Sequence, residues 1–200
     1  MKVERVSYDA ITPSAARGIL EAVYWKPAIR WVIDRIYILA PIQFTNIRRN
    51  EVSGTGPSAK TIKGFLDGKK GDLLSQIVEE QRQQRAATIL RDVDYGIEAH
   101  YEVLNKTEPP QKHYEMFRRR AERGQCFHRP YFGCREFDVA FEWIDPDQVA
   151  NLDREKIDRD LGWMLLDIDF NDKMTPRFFR AAIKNGVVDV PATDTVGVVS

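Results

Sequence analysis

Residues 92–104 read DVDYGIEAHYEVL. Val93, Tyr95, Ile97, Ala99, Tyr101 and Val103 recur at every second position, with Asp94, Glu98, His100 and Glu102 between them. Successive side chains of a strand point to opposite faces, so this period of two predicts a strand with one buried and one wet face. Downstream, Pro109 and Pro110 lead into KHYEMFRRRAERG, residues 112–124, where Tyr114, Phe117 and Ala121 share a helical face. Gly124 then supplies a C-terminal stop, and the stretch is predicted helical. Upstream, Thr12 can cap a helix that Pro13 opens, and Ala16, Leu20 and Tyr24 recur every four residues until Pro27 ends the run. The prediction is a helix from Pro13 to about Trp25.

Between the two helices, RWVIDRIYIL (30–39) is rich in aromatic and β-branched residues, and IQFTNIRRN (42–50) alternates. Both read as strands. Residues 53–72 hold six glycine or proline residues and four lysines with no period, the composition of a mobile basic loop. DLLSQIVEEQRQQRAATIL is ambiguous: its Gln/Arg/Ala part favours helix, whereas LLSQIV suits a strand. FGCREFDVAFEWI (132–144) reads as a turn entering a strand, an acidic stretch fills 145–160, GWMLLDIDF (162–170) reads as a strand, and the tail alternates turns and short strands. The order helix, strand, strand, strand, helix, strand is a βαββαβ ferredoxin-like unit with its first strand short or absent. The expectation is an α+β chain: a ferredoxin-like (RRM-like) domain over residues 1–125 and a smaller antiparallel β-rich region over 126–200. Sheets of this type raise the expectation of RNA.

The chain has 200 residues, 30 of them Lys or Arg and 30 Asp or Glu, so its formal charge is zero. That argues against a uniformly basic coat, yet the charges are segregated. Lys26, Arg30, Arg35, Arg48 and Arg49 face only Asp34 across residues 26–50, a balance of +4. Residues 111–135 carry Lys112, Arg118, Arg119, Arg120, Arg123, Arg129 and Arg135 against Glu115 and Glu122, a balance of +5, whereas residues 136–172 stand at −9. Cations mixed with Tyr24, Trp25, Tyr114, Phe117, Phe127 and Tyr131 suit single-stranded nucleic acid, because bases stack while Arg neutralises phosphate. A solvated helix face with ordinary core aromatics is the competing reading. No apolar run reaches the roughly 18 residues of a membrane span, and the opening MKVERVSYDA is charged, so a cytoplasmic protein with no membrane contact is expected.

Cys126, His128 and Cys134 lack the paired spacing of structural zinc, and neither a phosphate-binding glycine loop nor a nucleophile elbow is present. No metal or cofactor is expected. Asp167 and Asp169 fall on one strand face, as the polar side of a half-buried strand or as a magnesium nuclease would place them. Lys112 and His113 sit where the second helix begins. There His can move a proton near neutral pH and Lys can offset charge building on phosphorus, the parts for RNA cleavage by its own 2′-hydroxyl without metal. A surface or packing histidine is the alternative, and Tyr24 alone reads as a core aromatic.

The strings SAARGILEAVYWKP, IQFTNIRRNEV, QRQQRAATILRDVDYGIEAHYE, KHYEMFRRRAERGQ and FGCREF, in this order, closely resemble the CRISPR-associated Cas-five family, subtype d, of type I-C systems, a branch of the RAMP superfamily. The resemblance implies an endoribonuclease that cuts precursor CRISPR RNA at the repeat hairpin without metal. It further implies that the protein then holds the 5′ handle of the guide among other subunits of the surveillance complex. It maps a catalytic tyrosine onto Tyr24 in VYWKP and a catalytic Lys-His pair onto Lys112 and His113. RNA-binding roles follow for Lys26, Arg48, Arg49, Arg118, Arg119, Arg120, Arg123 and Arg135, with Gly133 to Glu136 resembling the family's glycine-rich loop. Family members usually start with a further strand bearing a Gly-Asp-Tyr-Ala-like string ahead of the position of Met1, hence the expected short or missing first strand. The alternative from another class is a handle-binding subunit that does not cut.

Overall fold

The computed structural model describes residues 5–54, 56–68, 77–105, 108–170 and 172–192. It contains two compact units. One comprises residues 5–7 and 44–89; the other comprises residues 8–43 and 90–192. The expected boundary at 125/126 falls inside the second unit, where strands from both sides of it share one sheet.

That sheet is built from β2 (Ile29–Ile38), β5 (Tyr95–Val103), β6 (Arg159–Asp169), β7 (Thr175–Lys184) and β8 (Val187–Asp189), in the order β5-β2-β8-β7-β6. β2 and β5 pair antiparallel, with Trp31 opposite Tyr101 and Ile33 opposite Ala99. The period of two in residues 92–104 is therefore expressed as a sheet-edge strand. Helix α1 (Pro13–Val23) packs against β2 and β6. Its cap is the predicted one: Thr12 Oγ1 accepts from Ala15 N–H at 3.3 Å, and Pro13 occupies the first turn. Ala16, Ile19, Ile33, Ile36, Met164, Leu166, Phe179 and Ile183 are buried between this helix and the sheet. Asn185 and Gly186 join β7 to β8, both with positive φ (48° and 75°), the geometry of a tight hairpin. A Cβ on Gly186 would lie 2.0 Å from the carbonyl oxygen of Glu155, so this position admits only glycine.

The first unit carries a three-stranded sheet in the order β1-β4-β3, from β1 (Arg5–Val6), β3 (Gln43–Val52) and β4 (Arg82–Arg91). β1 runs parallel to β4, with Arg5 opposite Ala87. Within the expected basic loop, Ala59–Leu66 forms a helix, α2, because Ser58 Oγ caps the Thr61 N–H at 3.2 Å; residues 55 and 69–72 lie outside the described residues. Of the ambiguous stretch, residues 72–76, most of LLSQIV, lie outside the described residues; the remainder is one short helical turn, α3 (Val78–Gln81), followed by β4. Neighbours on both sides supply ladder bonds to β4, and that pairing overrides the helix propensity of Gln, Arg and Ala.

Residues 132–144 do not form the expected strand. A turn closed by Phe132 N–H to Phe137 O (2.8 Å) gives a lone bridge between Tyr131 and Asp138. Beyond it the alternation serves packing: Val139 enters the core, while Trp143 meets Tyr114 and Phe117 edge-on at 6.1 Å. Those two aromatics belong to α4 (Pro110–Glu122), the predicted second helix.

Candidate active site

α1 stops at Val23 because the next residue turns into extended backbone (φ −152°, ψ 117°), while the Tyr24 N–H still donates to Leu20 O at 2.9 Å. This change of direction sends the phenol sideways, toward α4. Two further bonds hold the corner. Trp31 Nε1–H donates to Tyr24 O at 2.9 Å, and Arg120 donates to Val23 O at 2.9 Å, with its guanidinium 5.4 Å from the centre of the Tyr24 ring. Tyr24, Ile29 and Trp31 form a small second core with Tyr101, Met116 and Phe117 packed on it.

His113 hangs from the first turn of α4 into this cluster and is 1% exposed. Its Nδ1 lies 2.9 Å from the Tyr24 hydroxyl, a contact between residues 89 apart in sequence. Tyr101 closes the other side, its ring edge-on at 6.1 Å and its hydroxyl donating to Pro110 O at 2.8 Å. His113 Nε2 is buried without a hydrogen bond. In front of it stands Glu108, with one carboxylate oxygen 3.7 Å from Nε2 and the other 3.2 Å from Lys112 Nζ. Burial, then the charge of Glu108, raise the Tyr24 pKa above the usual phenol value, and Arg120 opposes them. Tyr24 therefore keeps its proton near neutrality, and its hydroxyl donates to Nδ1 in the tautomer that carries N–H on Nε2 and accepts from Nδ1 in the other.

The structure thus brings Tyr24 and His113 together, links Lys112 to His113 only by way of Glu108, and sets Trp31, Tyr101 and Arg120 around the Tyr24–His113 pair. The expected RNA-binding cations separate. Lys26, Arg119, Arg123 and Arg135 are exposed. Arg118 is engaged by Glu122 at 2.7 Å and Asp145 at 3.5 Å and lies 6.0 Å from the Trp143 ring centre. Arg120 points inward to Tyr24, so it supports the site from behind rather than presenting a free charge. Arg48 and Arg49 lie in β3, in the other unit, the first exposed and the second half-buried.

Asp167 and Asp169 do share one face of β6, but arginines engage both. Arg17 bonds Asp167 bidentately, and Arg177 bonds Asp169. A cation there would have to displace two guanidinium groups. Among the described residues no three His, Cys, Asp or Glu side chains gather in a metal-binding geometry, and Cys126 and Cys134 are free and exposed.

Residues 1–191 match the model of a family described as "CRISPR-associated protein (Cas_Cas5)", of the Cas5d type. The chain belongs to this family. A Mannheimia succiniciproducens relative named "CRISPR pre-crRNA endoribonuclease Cas5d" is 55% identical over 197 residues, covering 96% of this chain and 87% of that protein. A Thermus thermophilus relative of the same name is 38% identical over 214 residues, covering 96% of this chain and 84% of its own. Solved structures share the fold. One titled "Crystal Structure of CRISPR-associated Protein" superposes with a TM-score of 0.71 at 20% identity, covering 98% of this chain and 87% of that one. A functionally uncharacterized Streptococcus mutans protein gives 0.69 at 18% identity, covering 97% and 87%. Tyr24 and His113, from the ends of two helices, thus meet in one buried bond, while Lys112 stays half-exposed and faces Glu108. Glu108 had one sequence signal, its spacing of four from Lys112, which the intervening Pro109 and Pro110 obscure. Among the described residues no helix is long and apolar enough to cross a membrane.

Proposed function

We propose that the chain is a metal-independent endoribonuclease that cuts precursor CRISPR RNA at the repeat hairpin, then stays on the 5′ handle with the other subunits of the type I-C interference complex in the cytoplasm. The observation that carries this reading is the 2.9 Å bond between Tyr24 and His113, with Lys112 next to it in the chain. In the reaction the 2′-oxygen bonds to phosphorus as it loses its proton, the bond to the 5′-oxygen breaks, and that oxygen takes up a proton. A 2′,3′-cyclic phosphate remains. His113, oriented by Tyr24, serves the proton transfers, and Lys112 offsets the added charge on the phosphorane. Exposed Lys26, Arg119, Arg123 and Arg135 supply phosphate contacts, with Arg118 once released from its carboxylates; Arg48 and Arg49 supply phosphate contacts on their own unit.

α1, β2, β5 and α4 form a helix–strand–strand–helix set with residues 44–89 inserted between the strands, which supports a ferredoxin-like (RRM-like) arrangement.

Incubating the protein with a cognate repeat hairpin in EDTA tests the activity. A single cut with a cyclic-phosphate end is expected. Binding without a cut would leave a handle-holding subunit, a reading that the burial of both Tyr24 (2% exposed) and His113 keeps in play. Activity that EDTA removes would place the chemistry at a metal.

A further inference from the structure

Glu108 occupies an unusual place. Its two carboxylate oxygens face Lys112 Nζ and His113 Nε2 at 3.2 and 3.7 Å, the two groups to which the reaction above gives the phosphorane charge and the proton. Nε2 is a buried polar atom with no hydrogen bond, and 3.7 Å is too long to supply one. A carboxylate offers two oxygens sharing one negative charge, as do the non-bridging oxygens of a phosphodiester. We infer that Glu108 occupies the seat of the scissile phosphate in the RNA-free protein, and that the incoming phosphodiester displaces it. The inference rests on the proposed ribonuclease reading.

Three features fit a displaceable group rather than a fixed one. Glu108 is half-exposed, precedes the Pro109 cap, and is therefore not held in the helix. Its partner Lys112 is also half-exposed, and ion pairs of that kind are weak. Its distance from Nε2 leaves the imidazole underbonded, so a phosphate oxygen that reaches hydrogen-bond length gains what the carboxylate does not. The device acts on specificity. A passing RNA phosphate must compete with a tethered anion, whereas a repeat hairpin held by cations elsewhere brings its phosphate at high effective concentration.

The test measures the dissociation constant of the full chain for a repeat hairpin carrying a 2′-deoxy nucleotide at the cut position, which cannot be cleaved. E108Q and E108A should each tighten binding by about twofold to fivefold, the scale of one partly exposed charge pair. Glu115→Gln, which removes an exposed acid from the same helix, should give a clearly smaller gain. In a Lys112→Ala, His113→Ala background the Glu108 gain should disappear, since the seat no longer attracts an anion. Unchanged or weaker binding in E108Q would overturn the inference, as would an equal gain in Glu115→Gln, which would reduce the effect to bulk charge. A fall in the saturating cleavage rate with an unchanged dissociation constant would also overturn it and make Glu108 a positioning residue of His113. Wild-type protein that binds the hairpin but does not cut an unmodified one would remove the ribonuclease reading alone, because the binding comparison does not depend on turnover.

Discussion

Replacing Tyr24 with Phe removes one oxygen atom and keeps the ring that packs against Trp31 and under Arg120. The lost group is half of the 2.9 Å bond to His113 Nδ1, and both residues are buried, so the substitution leaves Nδ1 as well as Nε2 without a partner. An orphaned buried nitrogen costs about 1–3 kcal/mol. For a chain of this length each kcal/mol moves the melting temperature by roughly 2–4 °C, so Tyr24→Phe should melt several degrees below the parent. Catalysis should suffer far more than stability. A positioned acid–base pair contributes about 10²–10⁴ in rate, and freeing the imidazole from its only hydrogen bond removes its orientation.

The assay is single-turnover cleavage of a repeat hairpin in EDTA, with the dissociation constant of the 2′-deoxy hairpin measured beside it. Cleavage by Tyr24→Phe should fall at least about a hundredfold with little change in binding. The double variant Tyr24→Phe, His113→Ala should be no slower than the worse single variant, because groups acting as a unit are not additive. A Tyr24→Phe protein that melts lower yet cleaves within about threefold of the parent would refute the reasoning, since under 1 kcal/mol of barrier would then separate them. The bond would be structural, and the general base would lie elsewhere.

Other expectations follow from the fold. Gly186→Ala places a methyl group 2.0 Å from the Glu155 carbonyl on a residue at φ +75°. The left-handed backbone costs about 1–2 kcal/mol and overpacking about 1–3 more, so thermal melting should drop by several degrees at least, and a melting temperature within about 1 °C of the parent would contradict the close approach. Tyr95 has its pKa pushed up to about 12, chiefly by burial, against which a bond to the Ile11 backbone acts. Below pH 10 the phenol is protonated in both folded and unfolded chains. As pH rises toward 12 the unfolded chain ionises first, so about 2–3 kcal/mol of stability should be lost across that window. Denaturant titrations should show a shallower alkaline slope for Tyr95→Phe than for the parent, and parallel slopes would disprove the assignment.

Much of this architecture can be read locally. Thr12 and Pro13 mark the start of α1, the alternation of residues 92–104 marks β5, and Pro110 and Gly124 bracket α4, because each signal lies in the backbone chemistry of a few neighbouring residues. β4 could not be read in that way. Its Gln, Arg and Ala residues favour helix in isolation, and only ladder partners from β1 and β3 make it a strand. The strand expected in 132–144 fails for the opposite reason: Val139 meets the core and Trp143 meets α4, requirements that an irregular chain satisfies without pairing.

The site shows the same division. Tyr24 and His113 are 89 residues apart, and their meeting depends on the β2–β5 register that sets Trp31 against Tyr101, so no local pattern contains it. Yet α4 did carry a usable signal. His113, Phe117 and Arg120 stand at i, i+4 and i+7, one helical face. Arg120 shares that stripe with Phe117 and therefore turns inward, where it bonds Val23 O and faces the Tyr24 ring. Arg118 and Arg119 lie off the stripe, and the second of them is exposed. A run of three arginines that looks uniform as composition therefore divides by helical phase into one residue that holds the Tyr24 corner and two at the surface. The phase of a basic run on a helix must be settled before its charge is assigned to RNA.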